Sequence, residues 1–188
     1  MNHILETYKN ELTNEVLNIY QDDCPSNPRD WDTNLTEMFC IHNRYILGDL
    51  HDLRGEDFNG WGEIEAYLLD TEDIIAIKPL YLYDHGGLSI STSPFSCRWD
   101  SGQIGFIFVT KYTVFEQFGE IDNAEEIAER ALEEELKLYG DYMRGDVFFA
   151  ELTEDGVRVD ITRSYGYEGL LENVCDAFGL DPKHFEEI

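Results

Sequence analysis

The middle of the chain has the hydrophobic and polar pattern of β-strands. Three segments are rich in β-branched and aromatic residues and are separated by turn formers: 74–83, 88–92 and 104–110. The four residues Asp84-His85-Gly86-Gly87 predict a hairpin turn between the first two segments. A second hairpin is predicted for 147–152 and 157–162, because an Asp-Gly pair between two strands favours a tight turn.

Apolar residues at helical spacing predict three helices, at 63–69, 123–143 and 168–178. The long helix carries a continuous apolar stripe on one side. Asp122 followed three residues later by Glu125 is a capping-box pattern, which is typical of a helix start. Gly179 is predicted to end the last helix, since glycine is favoured just beyond a helix terminus.

The first third of the chain gives a less regular pattern. Residues 3–19 predict a short helix that runs into a strand near 16–20, and residues 35–47 fit either strand or helix. Two polar stretches, 22–34 and 48–62, are rich in turn formers and predict loops. The predicted fold class is α+β, with a central, mostly antiparallel sheet flanked by two or three helices. No linker or repeat is visible, so residues 1–188 are predicted to form a single acidic domain.

Net charge changes this picture most. The chain has 40 acidic residues against 13 Lys and Arg, which gives a net charge of −27, and 18 of the acids lie in residues 1–94. The acids are therefore spread along a chain whose 13% aromatic content predicts a folded core rather than a disordered acidic tail. Such a surface repels nucleic acid and anionic membranes, so neither is an expected direct partner. Acidity that serves only solubility is an alternative.

The densest acidic pattern lies on the predicted long helix. Helical spacing places five glutamates mostly on one exposed face: Glu125, Glu126, Glu129, Glu133 and Glu134. The C-terminal segment repeats the pattern with Glu168, Glu172 and Asp176. These eight residues are the predicted contacts to a basic partner surface, in which they would occupy a channel built for nucleic acid. A charged helix face that is only solvated is the alternative reading.

The polar loop 22–34 suggests a competing chemistry. Its carboxylates Asp22, Asp23, Asp30 and Asp32 are oxygen donors of the kind that Ca²⁺ and Mg²⁺ bind. The loop fails the calcium-loop pattern after its first half, because Leu35 and Ile41 stand where glycine and glutamate are required. A metal-binding module or metal-dependent enzyme that uses this loop with Asp49 or His42 is the second hypothesis.

Other chemistry has little support in the sequence. The four cysteines are widely spaced, which argues against a zinc ribbon or redox pair, and the N-terminus lacks an apolar signal segment. Reduced thiols in a cytoplasm are therefore expected. A catalytic pair of His85 with a cysteine or serine is left open. No cofactor motif is present, and an enzyme is less expected than a binding protein.

Several ordered stretches resemble acidic, largely uncharacterised proteins that bacteriophages and mobile elements encode. The likeness covers roughly residues 18–165, with Thr33 as an apparent insertion. It rests on Tyr20-Gln21-Asp22-Asp23, Asn27-Pro28-Arg29-Asp30-Trp31-Asp32, Cys40-Ile41-His42-Asn43-Arg44-Tyr45, Gly48-Asp49, Pro79-Leu80-Tyr81-Leu82-Tyr83-Asp84-His85, Ile90-Ser91 and Pro94-Phe95-Ser96-Cys97-Arg98-Trp99-Asp100-Ser101-Gly102-Gln103. The resemblance implies a setting in which small acidic proteins block host nucleases. The leading hypothesis is therefore an inhibitor of a nucleic-acid-handling defence complex, of the anti-CRISPR or anti-restriction type.

Overall fold

The computed structural model describes residues 4–188, and in that part of the chain it has nine strands and four α-helices. The strands are β1 (Ile4–Asn10), β2 (Glu15–Gln21), β3 (Glu37–Cys40), β4 (Ile74–Asp84), β5 (Leu88–Ser91), β6 (Ser101–Thr110), β7 (Val147–Glu154), β8 (Val157–Tyr165) and β9 (Phe185–Glu187). The helices are α1 (Trp61–Thr71), α2 (Lys111–Phe118), α3 (Ala124–Arg144) and α4 (Leu170–Phe178). The chain divides into two units, residues 4–26 with 141–188, and residues 27–140.

The first unit is built on a five-stranded antiparallel sheet with the order β8-β7-β2-β1-β9. Alternate residues of β2 and β7, such as Leu17, Ile19 and Phe148, turn to one face and are buried there against α4. The β7–β8 turn has the left-handed backbone that Asp-Gly favours, with φ of 47° at Asp155 and 79° at Gly156. The second unit is inserted in the chain between β2 and β7.

The second unit is built on a four-stranded antiparallel sheet with the order β3-β6-β4-β5. Phe39, Phe106 and Phe108 project from one face and pack against α1. α3 lies over the opposite face, where Lys78 of β4 contacts Glu129 of α3. Strand β6 is therefore covered on both sides, which explains its unbroken apolar run.

Strand pairing at the centre of this sheet depends on one glycine. A side chain at Gly105 of β6 would place its first carbon 1.8 Å from the carbonyl oxygen of Phe39 on β3. No side chain fits at that separation, so the close approach of β3 to β6 requires glycine here.

The predicted fold class is confirmed, since the structure is α+β with antiparallel strands and four helices. Its strands form two sheets. The strands predicted in the middle of the chain, both hairpins and the three helices are present within a few residues of the expected bounds. The ambiguous segment 35–47 contains the short strand β3.

The helix predicted at the start of residues 3–19 is wrong for the described part, and residue 3 lies outside the described residues. β1 pairs with β2 in a hairpin instead, and also with β9 near the end of the chain. Both partners supply ladder hydrogen bonds that a local helix would forgo. Two elements, α2 and β9, had no counterpart in the prediction.

Candidate functional site

Helix α3 carries the five predicted glutamates on its exposed side. Glu125, Glu126, Glu129, Glu133 and Glu134 are all exposed, whereas Ala128, Leu132 and Leu136 on the other side are buried. The buried stripe fixes which face of the helix meets solvent. The carboxylates are therefore held on a rigid element as the spacing predicted.

The density of these carboxylates is close to that of phosphates on DNA. At about 1.5 Å rise per residue, the span from Glu125 to Glu134 measures roughly 13.5 Å along the helix axis. Five carboxylates over this span give about one per 3.4 Å, and duplex DNA has one phosphate per about 3.4 Å on each strand. We name the five glutamates the α3 ladder.

Part of the α3 ladder is neutralised within the protein. Lys78 Nζ lies 2.6 Å from a Glu129 carboxylate oxygen and 3.6 Å from one of Glu133. Arg130 lies 3.7 Å from Glu134, which is an exposed and weak pair. In residues 4–188 neither Glu125 nor Glu126 has an ion-pair partner. The N-terminal end of α3 therefore keeps the most uncompensated charge.

The hydrogen bond from Lys78 to Glu129 favours the charged form of the lysine. It raises the pKa of Lys78 above its ordinary value, against the opposing effect of desolvation, and the charges of Glu129 and Glu133 add to it. Lys78 thus stays charged at neutral pH, and it holds the middle of the ladder against β4.

The C-terminal acids form a separate exposed set in the other unit. Glu168 precedes α4, and Glu172 and Asp176 lie on its exposed side. They are spaced four residues apart, so Glu172 and Asp176 are neighbours on the helix surface. This set has three carboxylates where the α3 ladder has five.

The loop carboxylates proposed as metal ligands are divided between the two units. Asp22 and Asp23 belong to the first and Asp30 and Asp32 to the second. Asp22 is bound by Arg163 at 2.6 Å and accepts a hydrogen bond from the Cys24 amide. Within residues 4–188 no group of three or more His, Cys, Asp or Glu side chains is placed to hold a metal ion.

Asp49, the other metal candidate, binds a buried arginine that the sequence reading overlooked. The Arg29 side chain is 3% exposed and makes a two-bond pair with Asp49, at 2.9 and 2.7 Å. Its Nη1 also donates to Glu135 of α3 at 2.9 Å and to Thr36 at 3.1 Å. We name Arg29, Thr36, Asp49 and Glu135 the Arg29 network.

Every polar partner in the Arg29 network is satisfied. Glu135 also accepts from the amides of Leu35 and Thr36, and Asp49 accepts from the amide of Met38. Burial lowers the pKa of Arg29, but its bonds to Asp49 and Glu135 outweigh this effect and raise it overall. The network joins a loop, β3 and α3, so its role is to position elements. An arginine inside an acidic loop was the available sequence signal, because a buried arginine must be paired.

A cavity of ≈ 350 Å³ opens at the start of β6. His42, Arg44, Asp84, Trp99 and Asp100 are among its lining residues. Arg44 pairs with Asp84 at 2.9 Å, and the Tyr45 hydroxyl donates to the same carboxylate. The sequence had marked His42 as a possible metal ligand, and Arg44, Trp99 and Asp100 through the resemblance to other proteins.

His85, considered for a catalytic pair, lies near this cavity in the β4–β5 turn. Its Nδ1 is 3.5 Å from Asp100 Oδ2, and the Cys97 thiol is 3.4 Å from the same oxygen. Asp100 is thus the group that the imidazole and the thiol share. The three side chains form a polar cluster centred on Asp100.

All four cysteines are free thiols. Desolvation raises the pKa of Cys40 to about 12 and that of Cys175 to about 11. Both stay protonated at neutral pH, so neither has the thiolate character of a reactive cysteine.

Comparison with known proteins gives no match: no family model, curated protein or solved structure is similar to this chain. The resemblance to mobile-element proteins therefore stays a prediction. Within residues 4–188 no helix has the length and apolar character needed to cross a membrane. The fold and the site define an acidic α+β protein with a rigid exposed ladder of carboxylates.

Proposed function

We propose that this protein inhibits a nucleic-acid-handling defence complex of a host cell by binding its basic channel as a mimic of DNA or RNA. The α3 ladder is the observation that carries the proposal. It holds five exposed carboxylates on one helix, and their mean axial spacing is about that of phosphates on a DNA strand.

The mechanism is competition for the same cations. Lys and Arg side chains that line a nucleic-acid channel bind phosphates largely through charge, and carboxylates meet the same side chains with the same sign. The remaining negative charge of the molecule, −27 in total, steers it toward a positive surface. Occupation of the channel excludes the nucleic acid and stops the nuclease without any chemical step by the inhibitor.

A DNA-directed restriction or CRISPR nuclease is the partner class that this mechanism fits best. Mobile elements gain from blocking such nucleases, and the residue patterns in 18–165 support that setting. The inhibitor would act in the cytoplasm of the host cell. The acids Glu168, Glu172 and Asp176 are a second proposed contact set in the other unit.

The test uses three forms of the protein as bait in a bacterial lysate. The first is wild type. The second is the ladder variant, with five substitutions: Glu125→Gln, Glu126→Gln, Glu129→Gln, Glu133→Gln and Glu134→Gln. The third is a matched control that loses the same five charges from exposed positions off α3: Asp52→Asn, Asp57→Asn, Glu65→Gln, Asp70→Asn and Glu116→Gln.

The expected result is a nucleic-acid-binding protein that wild type and the matched control retain at low salt and that the ladder variant does not. Added duplex DNA and added salt should both release it, because the contacts are ionic. Retained complexes should lose nuclease activity in proportion to bound inhibitor. Equal retention by the ladder variant, or retention of no nucleic-acid-binding protein, would contradict the proposal.

A further inference from the structure

The cavity at the start of β6 has an apolar floor and a polar rim. Leu82 and Ile104 are buried at its base, and Asp84, Trp99 and Asp100 stand around it. Trp99 is 97% exposed, although tryptophan normally hides most of its surface. Its indole face is thus available to a ligand in the cavity.

The fold does not require the glycine in the cavity floor. Gly102 lies in β6 opposite Leu82, so a side chain at 102 would stand on the same sheet face as Leu82, and Ile104 lines the same cavity. Its backbone is not left-handed, and a Cβ built on it meets no atom within 4 Å. Glycine weakens a strand interior and often marks a place where a ligand approaches closely. The missing side chain at 102 keeps the cavity open.

The rim carries a carboxylate whose charge the protein leaves uncompensated. Asp100 Oδ2 contacts the Cys97 thiol and His85 Nδ1, and neither group is a permanent cation. In the described residues Oδ1 has no hydrogen-bond partner. Asp84, by contrast, is already engaged by Arg44 and Tyr45.

Arg44 shows which chemistry suits this rim. Its guanidinium lies 5.3 Å from the centre of the Tyr45 ring and 2.9 Å from Asp84, so one arginine already combines a ring contact with a carboxylate contact. Trp99 and Asp100 offer the same two contacts to a second guanidinium. Tryptophan is the strongest cation–π partner among the side chains, and a carboxylate can accept two parallel bonds from arginine.

We propose that this cavity binds an arginine side chain of a basic partner protein, with Trp99 stacked on the guanidinium and Asp100 accepting its hydrogen bonds. The proposal rests on the proposed function only in that the partner is basic; the site is separate from the α3 ladder. The net charge of −27 favours a cationic occupant over an anionic one.

The test is a titration of ¹⁵N-labelled full-length protein with two blocked tripeptides, acetyl-Gly-Arg-Gly-amide and acetyl-Gly-citrulline-Gly-amide. Citrulline keeps the shape of arginine without its charge. The arginine peptide should shift the Trp99 indole N–H and the Gly102 amide, with an affinity at least tenfold above that of the citrulline peptide.

Two variants locate the binding. Gly102→Val should keep the melting temperature of wild type, since a Cβ at this position meets no atom within 4 Å, and should lose at least tenfold in affinity because its methyl groups occupy the cavity. Trp99→Leu replaces an exposed side chain and should lose a similar factor; it decides the question if Gly102→Val does not fold. The ladder variant should bind the arginine peptide within twofold of wild type after correction for its lower charge.

Equal binding of both peptides, shifts confined to α3, or unchanged affinity in Trp99→Leu would overturn the proposal. These outcomes leave the proposed function standing, because the lysate experiment depends on the α3 ladder. If the ladder variant loses the nuclease and wild type binds no peptide, only the proposal that the cavity binds arginine is contradicted. If wild type binds the arginine peptide but retains no nuclease, only the proposed function is contradicted.

Discussion

At the scale of single residues, the Arg29 network shows how a buried charge can hold several elements together. Removal of one partner from a buried ion pair leaves the other charge unpaired, which costs about 3–5 kcal/mol. Exposed pairs contribute roughly 0–1 kcal/mol. The protein has an ion pair of each kind: Arg29–Asp49, with a buried arginine, and the exposed pair Lys111–Asp73.

Asp49→Asn leaves Arg29 paired with Glu135 alone, so we expect it to lower the free energy of unfolding by about 1–3 kcal/mol. Asp73→Asn removes the same charge from an exposed pair and should change it by less than about 1 kcal/mol. Urea denaturation of both variants at pH 7 measures the two values. Similar losses in the two variants would show that the Arg29 network is not a structural anchor.

Glu37 gives a residue-scale prediction that depends on pH. Desolvation, followed by the charges of Glu72 and Asp49, raises the pKa of Glu37 above its usual 4.5, although the residue keeps an exposed surface. A raised pKa means that the fold favours the protonated form, so its contribution to stability is present at low pH and is lost as pH rises through the folded pKa.

Glu37→Gln, which resembles the protonated form, should raise the melting temperature at pH 7. The gain should vanish as the pH falls below 4.5, where the glutamate is protonated in both folded and unfolded states. Glu65→Gln removes an equal charge from an exposed position on α1 and is the control. A gain in Glu37→Gln that persists at low pH, or equals that of the control, would contradict the assignment.

Residue-scale chemistry was only partly predictable from the sequence. Exposure of Glu125 and Glu126 followed from helical spacing, because a helix with one apolar stripe turns the opposite side to water. The Arg29 pair with Asp49 did not, since the partners are 20 residues apart and meet through folding. Trp99 and Gly102 likewise become one cavity only when the loop before β6 is in place.

At the scale of elements, β8 is an edge strand that is protected against pairing with other chains. It bears the exposed apolar residues Val157, Val159 and Ile161. The ladder with β7 shifts register between Leu152 and Thr153, and the Asp160 side chain accepts from the amide of Ile161. A bulge and inward charges are devices that keep sheet edges from aggregating.

Asp160→Val should therefore increase self-association, because it frees the Ile161 amide and extends an apolar edge. Sedimentation velocity at matched concentration and salt should show a larger oligomeric fraction than in wild type. Asp57→Val makes the same chemical change at an exposed turn away from the sheet edges and should not. Identical sedimentation of the two variants would refute the role of Asp160.

Element identity followed from sequence where one local preference dominated. The long amphipathic pattern of α3 and the Asp-Gly turn after β7 were both recognised. β1 was predicted as helix in part, because its decisive partners β2 and β9 lie outside the local window. Strand pairing over long sequence separation overrides weak local propensity.

At the scale of the whole molecule, a net charge of −27 on 188 residues creates strong self-repulsion. Repulsion destabilises the compact state more than the expanded one. Salt shortens the Debye length from about 30 Å at 0.01 M to about 3 Å at 1 M and so screens it.

The melting temperature should therefore rise by several degrees between 0.01 and 0.5 M NaCl. The ladder variant starts with five fewer charges, so its rise should be smaller, and the matched control should fall between the two because its charges are less clustered. Differential scanning calorimetry gives all three curves. A melting temperature that is flat or falls with salt would mean that exposed ion pairs, which salt weakens, outweigh the repulsion.

The sequence by itself determined the acidity, the α+β class and the exposed face of α3, because each depends on composition or on a repeat within one element. Tertiary structure alone decided that the strands form two sheets and that Asp49 pairs with Arg29. It also decided that Trp99 and Gly102 line one open cavity. The two sheets and the Arg29–Asp49 pair join residues far apart in the chain, and the cavity joins Trp99 and Gly102 to Leu82 and Arg44. The energy of these features comes from packing and pairing that no local pattern records.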